Sequence, residues 1–298
     1  MRVLILGGGG QLATELERSL AGEPCLALSH SQADICDAAE VERHAHEFRP
    51  DCIVNTAAYH RVDDCEDEVA RSFAVNAVAL KALAQIANRT GAALVHFSTD
   101  YVFDGAQRQP YRETDPPRPL SIYGMSKFAG EQIVRRYAER YFLVRSCGLY
   151  GRAGSQSKGG NFVETMLRLA SENRTIRVVD DQVATPTSVR DLAKALVPLI
   201  GTERFGLYHM TNAGSCSWFE FAGEIFRLTG RVAGPEARLQ PISSAEFRAK
   251  ARRPPYSVLD NAALREAGFP ALAPWQEALA SYLRERTEGK ADPSPRTG

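Results

Sequence analysis

The chain has 298 residues, 44% hydrophobic and 24% charged, which is ordinary for a globular protein with a substantial core. Lys plus Arg and Asp plus Glu both number 36, and this zero net charge argues against nucleic acid or an anionic membrane as the main partner. The six cysteines show neither a C-x-x-C pair nor metal-ligand spacing, and the N-terminal apolar run is too short to span a membrane. We therefore expect a cytoplasmic protein with reduced thiols.

Short apolar runs alternate with helical patterns through the first half of the chain. The runs predict strands at Arg2–Leu6, Cys25–Leu28, Cys52–Asn55, Leu94–Ser98 and Phe142–Ser146. The helical patterns lie at Gln11–Leu20, Ala38–Phe48, Val69–Asn88 and Tyr123–Tyr137. This alternation predicts right-handed βαβ units and an α/β fold with a Rossmann-type, doubly wound parallel sheet.

The second half is less regular and predicts a smaller, mostly helical portion. It begins with a segment rich in Gly and Ser, Gly151–Gly160, which we interpret as a disordered loop or one that closes over a ligand. Helices are predicted at Asn161–Ser171, Val189–Ile200, Phe219–Leu228 and Trp275–Arg286. We expect a dinucleotide-binding domain over residues 1–150, a mainly substrate-binding portion over 151–286 with some segments returning to the first domain, and a disordered tail over 287–298.

A glycine run connects the first predicted strand to the first helix. Its spacing, Gly7-x-x-Gly10-x-x-Ala13, is a variant of the dinucleotide fingerprint, although by itself it also suits a plain strand–helix turn. The N–H groups at Gln11 and Leu12 would face a pyrophosphate, with the helix dipole behind them. We therefore predict cofactor contacts at Gly7, Gly10, Gln11 and Leu12.

Residues near the second and third strand ends bear on the choice of cofactor. NAD-specific folds place an acid after the second strand, but residues 29–31 read Ser-His-Ser, which favours NADPH while leaving NADH possible. Asp34 and Ile35 could bracket the adenine. Small residues after the third strand would let the cofactor lie close to the backbone, so contacts are also predicted at Ala57, Ala58 and Tyr59.

A Tyr and a Lys four residues apart begin the helix after the fourth strand. The spacing places Tyr123 and Lys127 on one helical face, and an ammonium ~5 Å away would lower the pKa of a phenol by about two at an effective dielectric of ~20. Thr99 ends the preceding strand at the expected cofactor crevice, where a hydroxyl could polarise a carbonyl oxygen. The three residues together predict acid–base catalysis on a carbonyl.

These motifs resemble the extended short-chain dehydrogenase/reductase family. The segments that carry the resemblance are the glycine run, residues 55–59, Asn76, residues 98–103 and residues 123–127. Further segments resemble the dTDP-4-dehydrorhamnose reductase branch, namely Val62-Asp63, Asp181-Gln182, Pro186-Thr187 and Arg252-Arg253-Pro254. The similarity runs from residue 1 to about 285.

The resemblance implies NADPH- or NADH-dependent reduction of the C4 ketone of dTDP-4-dehydro-L-rhamnose. It implies that Thr99, Tyr123 and Lys127 are the catalytic residues. Substrate contacts would come from Thr99, Asp100 and Tyr101. The cofactor would be contacted by Tyr123 and Lys127 and, in addition, by Asn76 and Phe97.

Several positions depart from the family pattern. Gly148 stands where the family commonly has a Trp against the sugar, so the identity of the sugar is left open. Glu15 matches a family residue that holds magnesium at a dimer contact, but Arg190 occupies the position of the second acid, and we therefore predict no metal. Ala184 and Tyr256 replace the usual Gly and Asn.

Two other functions remain as alternatives. A sugar dehydratase would carry Glu where this chain has Tyr101, which disfavours dehydration. An epimerase uses the same Tyr and Lys, and a regulatory subunit would bind the dinucleotide without catalysis. The predicted partner is a nucleotide-sugar substrate, with Asn161 and Arg253 as candidates for holding its diphosphate and Gly148 lining the sugar site. We expect a monomer or a homodimer.

Overall fold

The computed structural model describes residues 1–153, 160–172, 175–230 and 239–288. Its centre is a six-stranded, all-parallel sheet. The strands are β1 (Val3–Leu6), β2 (Cys25–Leu28), β3 (Cys52–Asn55), β4 (Ala93–Thr99), β5 (Tyr141–Ser146) and β10 (Gly206–His209), in the spatial order β10-β5-β4-β3-β1-β2. The order reverses between β1 and β3, where open parallel sheets bind ligands beyond the strands' carboxyl ends.

Helices cover both faces of this sheet. Its central strands are therefore buried on both sides, and β1, β3 and β4 are buried along their whole length. One face is covered by α1 (Gln11–Ser19) and α8 (Val189–Ile200). The other is covered by α2 (Ala38–Phe48), α5 (Ala79–Thr90) and α6 (Ile122–Tyr137). The predicted α/β fold with a doubly wound parallel sheet is confirmed.

A π-turn interrupts the long predicted helix between β3 and β4. Two short helices, α3 (Val62–Cys65) and α4 (Val69–Phe73), lead into the π-turn at Ala74–Val78, which continues as α5. Single π-turns inside α-helices are often found at functional sites. This one contains Asn76, one of the predicted cofactor contacts.

The remaining elements build a second core. The helices are α7 (Phe162–Ala170), α9 (Trp218–Thr229), α10 (Ser244–Phe247), α11 (Ala262–Glu266) and α12 (Trp275–Glu288). The strands, all short, are β6 (Leu149–Tyr150), β7 (Ile176–Val179), β8 (Val183–Ala184), β9 (Thr187–Ser188), β11 (Cys216–Ser217) and β12 (Leu239–Ile242). Apolar side chains of α7, α9 and α12 form the core of this portion.

Two segments of the second half return to the first unit. Strand β10 pairs with β5 in parallel register, and α8 packs against α1 in the core beneath the sheet. We propose that the dinucleotide-binding unit comprises residues 1–150 together with these two elements. The predicted tail, 287–298, lies outside the described residues except for 287 and 288, which end α12, and most of the Gly- and Ser-rich segment also lies outside them.

One helical run, Val69–Thr90, is long and apolar enough to cross a membrane by length and composition alone. In the fold this run is α4, the π-turn and α5, and the buried face of α5 packs in the core over the sheet through Leu80 and Leu83. A core helix satisfies the same length and composition test, so the run is explained without a membrane.

Candidate active site

The glycine run forms a tight loop at the carboxyl end of β1. Gly7 has a φ of +88°, and a Cβ there would lie 2.6 Å from Thr56 Oγ1 and 2.8 Å from the Ala57 nitrogen. Only glycine therefore allows β1 and β3 to end so close together. Gly10 caps α1 without a side-chain hydrogen bond, which leaves the first N–H groups of the helix, at Gln11 and Leu12, suited to an anion. This cradle fits a dinucleotide pyrophosphate.

The π-turn fixes the chain that follows β3. Asn76 Oδ1 accepts a hydrogen bond from Tyr59 N at 2.9 Å, and Asn76 Nδ2 donates to the Tyr59 carbonyl at 2.9 Å. Asn76 Nδ2 also lies 3.0 Å from Ser126 Oγ on α6. Asn76 is buried and clamps the backbone of residue 59 to the catalytic helix. The structure thus gives it a scaffolding contact at the predicted cofactor site.

Thr99 and Asp100 lie buried at the carboxyl end of β4. Thr99 Oγ1 donates to Asp100 Oδ1 at 3.0 Å and accepts from Tyr101 N at 3.2 Å. Asp100 Oδ2 accepts from Ser257 Oγ at 2.6 Å and from Cys147 Sγ at 3.0 Å. Burial raises the pKa of Asp100, and the hydrogen bonds from Cys147, Ser257 and Thr99 oppose that rise.

Tyr123 lies beside this cluster in the first turn of α6. Its ring packs edge-on against Tyr101 with 5.9 Å between the ring centroids, and its hydroxyl lies near Thr99. Burial raises the pKa of Tyr123, and the hydrogen bond to Thr99 opposes the rise. The predicted lowering of this pKa is therefore wrong, because desolvation of the phenol is the largest influence on it.

Lys127 points into the molecule with only 2% of its surface exposed. Its Nζ lies 3.2 Å from Nε2 of His96, a buried side chain of β4. Burial lowers the pKa of Lys127 to about 7, against the attraction of Glu131. The Lys127 side chain, which was predicted to act on Tyr123 as an ammonium, is therefore only partly protonated at neutral pH.

Glu131 belongs to a buried ion pair that the sequence patterns did not indicate. Arg145 on β5 donates to both carboxylate oxygens, at 2.8 and 2.7 Å, and neither side chain is more than 2% exposed. The Arg145 guanidinium also lies over the Phe103 ring, 5.1 Å from its centroid. The pair joins α6 to β5 behind the catalytic residues.

The predicted adenine end of the site lies after β2. Ser29 Oγ and its backbone N–H both contact Gln32 Oε1, at 2.8 and 3.0 Å, and the His30 side chain is exposed. Asp34 Oδ1 accepts from Cys36 N at 2.9 Å. Residues 29–31 therefore offer hydroxyls and an imidazole, with no carboxylate, at the predicted position of the 2′-phosphate.

Several residues predicted to contact the cofactor are also part of the hydrophobic cores. The structure buries Leu12, Ile35 and Phe97 in the cores over the two faces of the sheet. Ala57 and Ala58, in contrast, are partly exposed beside the glycine loop. Most of the surface of the first three side chains is therefore packed against core neighbours.

Gly148, where a Trp was expected from the family pattern, has a φ of +54°. A Cβ there would lie 3.2 Å from Pro186 Cα and 3.4 Å from Cη2 of Trp218 on α9. The indole of Trp218 also packs on Phe162, with centroids 4.8 Å apart. An aromatic side chain from another element thus lies beside the position that Gly148 leaves open.

The two candidate diphosphate contacts are already engaged. Arg253 pairs with Asp63 through two hydrogen bonds of 3.1 and 3.0 Å and also bonds the Tyr101 side chain. Asn161 Oδ1 caps α7 by accepting from Glu164 N, and Asn161 Nδ2 donates to the Gly151 carbonyl. Arg253 therefore lies at the site, while Asn161 caps α7 and holds the chain at Gly151.

Glu15 and Arg190 are each held in ion pairs. Glu15 bonds Arg18 at 2.7 Å, and Arg190 pairs with Glu285. Across the described residues there is no cluster of three His, Cys, Asp or Glu side chains suited to a metal ion. The contact with Arg18 gives Glu15 a partner within its own chain.

Comparison with known proteins places the chain among sugar-nucleotide reductases. The family model described as RmlD substrate binding domain matches residues 1–288. The chain is 41% identical over 288 residues to the spore coat polysaccharide biosynthesis protein SpsK of Bacillus subtilis, covering 96% of this chain and 98% of SpsK. It is 40% identical over 305 residues to dTDP-4-dehydrorhamnose reductase of Streptomyces griseus, covering 99% of this chain and 98% of that one.

A solved structure supports the same relationship. The dTDP-4-dehydrorhamnose reductase of Bacillus anthracis, in complex with NADP, superposes with a TM-score of 0.90 at 40% identity, covering 95% of this chain and 99% of that chain. The residues predicted for catalysis lie together at the carboxyl edge of the sheet, as described above. The chain belongs to the RmlD family, the dTDP-4-dehydrorhamnose reductase branch of the extended short-chain dehydrogenase/reductases.

Proposed function

We propose that the chain reduces the C4 ketone of dTDP-4-dehydro-L-rhamnose to dTDP-L-rhamnose with NADPH, in the biosynthesis of a deoxysugar. The observation that carries this proposal is the set of Thr99, Tyr123 and Lys127, which is intact in a chain that matches the family from residue 1 to 288. A regulatory subunit would not need all three groups. Their convergence at one strand edge therefore favours an enzyme.

Each side chain of the site has its own role in the reduction of the ketone. NADPH, when bound, supplies the hydride that reduces C4. Tyr123 donates its phenolic proton to the ketone oxygen, and its raised pKa keeps that proton on the phenol until the oxygen becomes basic. The Thr99 hydroxyl lies beside the Tyr123 phenol and is fixed by its hydrogen bond to Asp100, so that it can steady the ketone oxygen. Lys127 lies one helical turn below, where it would bind the nicotinamide ribose.

The direct test uses the wild-type protein, dTDP-4-dehydro-L-rhamnose and NADPH. We expect a product heavier by two hydrogens in mass spectrometry and one NADPH consumed per product. An isomer formed without net NADPH loss would instead make the protein an epimerase. If no nucleotide-linked keto-sugar reacted while NADPH still bound, a regulatory role would replace the proposal.

A second substrate is favoured by one observation, the glycine at position 148. Because no side chain projects there, the sugar site has a different wall from that of relatives with a Trp. Another dTDP-linked 4-keto-6-deoxysugar could therefore be accepted. Comparing kcat/KM across stereoisomeric keto-sugars ranks the candidates, and the dehydrorhamnose should be reduced fastest. We expect the reaction in the cytoplasm, by a monomer or a homodimer.

The cofactor preference gives a prediction at Ser29. Because residues 29–31 carry no carboxylate, NADPH should bind at least as tightly as NADH. In the variant Ser29→Asp, repulsion of the 2′-phosphate should weaken NADPH binding by about 10-fold and leave NADH binding nearly unchanged. Fluorescence titration of both cofactors measures this. Ser171→Asp, at an exposed serine after α7, controls for the added charge, and a wild-type preference for NADH would contradict the prediction.

A further inference from the structure

A buried hydrogen-bond chain runs from the end of β3 to the catalytic lysine. The Ala57 N–H donates to Asn55 Oδ1 at 3.1 Å, and Asn55 Nδ2 lies 3.2 Å from His96 Nδ1. On the other side of the ring, His96 Nε2 lies 3.2 Å from Lys127 Nζ. Asn55, His96 and Lys127 are 1%, 1% and 2% exposed, so water does not complete these contacts.

The chain fixes the proton positions on His96. Because Asn55 Oδ1 accepts from a backbone N–H, the amide must direct Nδ2, a donor, at His96 Nδ1. Nδ1 is then an acceptor, so the proton of a neutral imidazole lies on Nε2 and points at Lys127 Nζ. A donor at Nε2 needs a lone pair opposite it, which an amine has and an ammonium lacks.

We propose that His96 is a positioning residue that holds Lys127 as a neutral amine in the ligand-free protein. The opposite arrangement, an ammonium donating to Nε2, would place an Nδ1–H against the Asn55 Nδ2 donor in a buried site, where an unsatisfied pair is costly. Two ionisable groups influence the protonation of Lys127, namely His96 on β4 and Glu131 on its own helix. The carboxylate of Glu131 is already bound by Arg145 of β5. Burial also lowers the pKa of Lys127, to about 7, which agrees with this arrangement.

The tautomer is measured by ¹⁵N NMR of the ligand-free protein labelled at histidine. The chain has six histidines, and the His96 signals are those missing from His96→Gln. We expect a neutral ring with its proton on Nε2 at pH 8–9, where Lys127 is mostly a neutral amine. A proton on Nδ1, or a cationic ring in this range, would overturn the proposal. His96→Asn can provide the assignment if the Gln variant does not fold.

The consequence for Lys127 is measured separately, by labelling the six lysines with ¹³C and following the side chain through a pH titration. A glutamine at position 96 can turn its oxygen toward Nζ and accept from an ammonium. The pKa of Lys127 should therefore rise by about 1 in His96→Gln relative to the wild type. A purely structural histidine would change the melting temperature without this rise, so an unchanged pKa of Lys127 refutes the proposal.

His209→Gln is the matched control. His209 is equally buried, but its Nε2 faces Arg145 and its Nδ1 faces the Tyr111 carbonyl. The substitution should cost stability as His96→Gln does and leave the pKa of Lys127 unchanged. A comparable rise in both variants would show that the effect comes from loosened packing, which also overturns the proposal.

Discussion

At the scale of single residues, the phenol of Tyr123 stays protonated at neutral pH and is therefore available as a general acid. Burial raises its pKa, and reduction of a ketone needs an acid. In the variant Tyr123→Phe we expect kcat to fall by about 10²–10⁴-fold while the Kd for NADPH stays within about twofold. Stopped-flow turnover and fluorescence titration give the two values.

Tyr137→Phe is the control, because it removes a phenol at the exposed end of the same helix. Its turnover should equal that of the wild type. If Tyr123→Phe kept turnover within a few-fold of the wild type, the proton would have to come from another group.

The burial of Lys127 lowers the stability of the folded protein. Its pKa is about 7 in the folded protein and 10.5 in a free lysine, so below pH 7 folding must bury a full charge. Between pH 7 and 10.5 the unfolded chain binds more protons, and the free energy of unfolding rises with pH. The apolar variant Lys127→Met should therefore be inactive but more stable at pH 6 by about 2–4 kcal/mol.

The stabilisation by Lys127→Met should shrink as the pH approaches 10, because the lysine is then neutral in the folded state and increasingly neutral in the unfolded state. Urea unfolding at pH 6 and pH 9.5 compares the variant with the wild type, and Lys194→Met on α8 is the control at a surface lysine. An equal stabilisation at both pH values would contradict the assigned pKa.

How many of the site residues can be predicted from the sequence depends on how far apart along the chain the interacting residues lie. The glycine run and the Tyr–Lys spacing are local motifs, so Gly7 and Tyr123 could be assigned to the active site from a few neighbouring residues. His96 lies 31 residues from Lys127, and Ser257 lies 157 residues from Asp100. Such contacts arise from strand order and helix packing, which no short spacing encodes. The direction of the shift in the Tyr123 pKa could not be predicted from the sequence either, because the burial of a side chain depends on the tertiary structure.

At the scale of elements, the catalytic helix is held in place by close backbone packing. A Cβ at Gly130 on α6 would lie 2.2 Å from the Asn76 carbonyl in the π-turn and 2.8 Å from Leu80 Cδ1. Gly130→Ala must therefore push α6 away from the π-turn. We expect the free energy of unfolding to fall by about 1–3 kcal/mol, and NADPH to bind more weakly because Asn76 positions residue 59. Urea unfolding and cofactor titration measure both.

Gly223→Ala on α9 is the matched control for this substitution. It also lies inside a helix, but a Cβ there would meet only Leu239 Cδ2, at 3.9 Å. Alanine should therefore stabilise this helix by about 0.5–1 kcal/mol through its higher propensity. Destabilisation by Gly223→Ala as large as that by Gly130→Ala would remove the argument from close packing.

The elements themselves were largely predictable where an apolar run or a helical period was long. Strands β2 and β3 and helix α8 have the predicted bounds, because buried parallel strands and one-sided helices leave clear patterns. Strand β10 was missed, since Gly206–His209 is short and mixes glycine, histidine and apolar residues. The π-turn was missed for another reason: its residues fit a continuous helical period, so no local pattern marks it.

At the scale of the whole molecule, the buried Asp100 joins the catalytic strand to the second half of the chain. Ser257, far along the chain, donates to Asp100 Oδ2 at 2.6 Å, while Asp100 Oδ1 accepts from Thr99. Arg253, four residues before Ser257, bonds both Asp63 and Tyr101. The segment around residues 253–257 therefore holds Asp100 and Tyr101 in position through side chains that the dinucleotide cradle does not contain.

This arrangement predicts a selective defect in Ser257→Ala. Loss of one donor raises the pKa of Asp100 further, and a protonated Asp100 no longer holds Thr99 as a carboxylate does. We expect kcat/KM for the keto-sugar to fall by about 10-fold at neutral pH. The fall should be larger at pH 5.5 than at pH 8, because an acid whose pKa is raised loses its charge at a higher pH.

The Kd for NADPH should be unchanged in the same variant, since Ser257 makes no contact with the glycine loop or α1. Steady-state kinetics from pH 5.5 to 8.5, with cofactor titration at each end, separate the two effects. Ser171→Ala controls for the loss of a serine hydroxyl at an exposed position. A pH-independent loss of activity, or an equal loss of NADPH affinity, would mean that Ser257 supports the fold in general. A loss of kcat/KM for the keto-sugar that grows as the pH falls, with NADPH affinity unchanged, would mean that the second half of the chain sets the charge of Asp100.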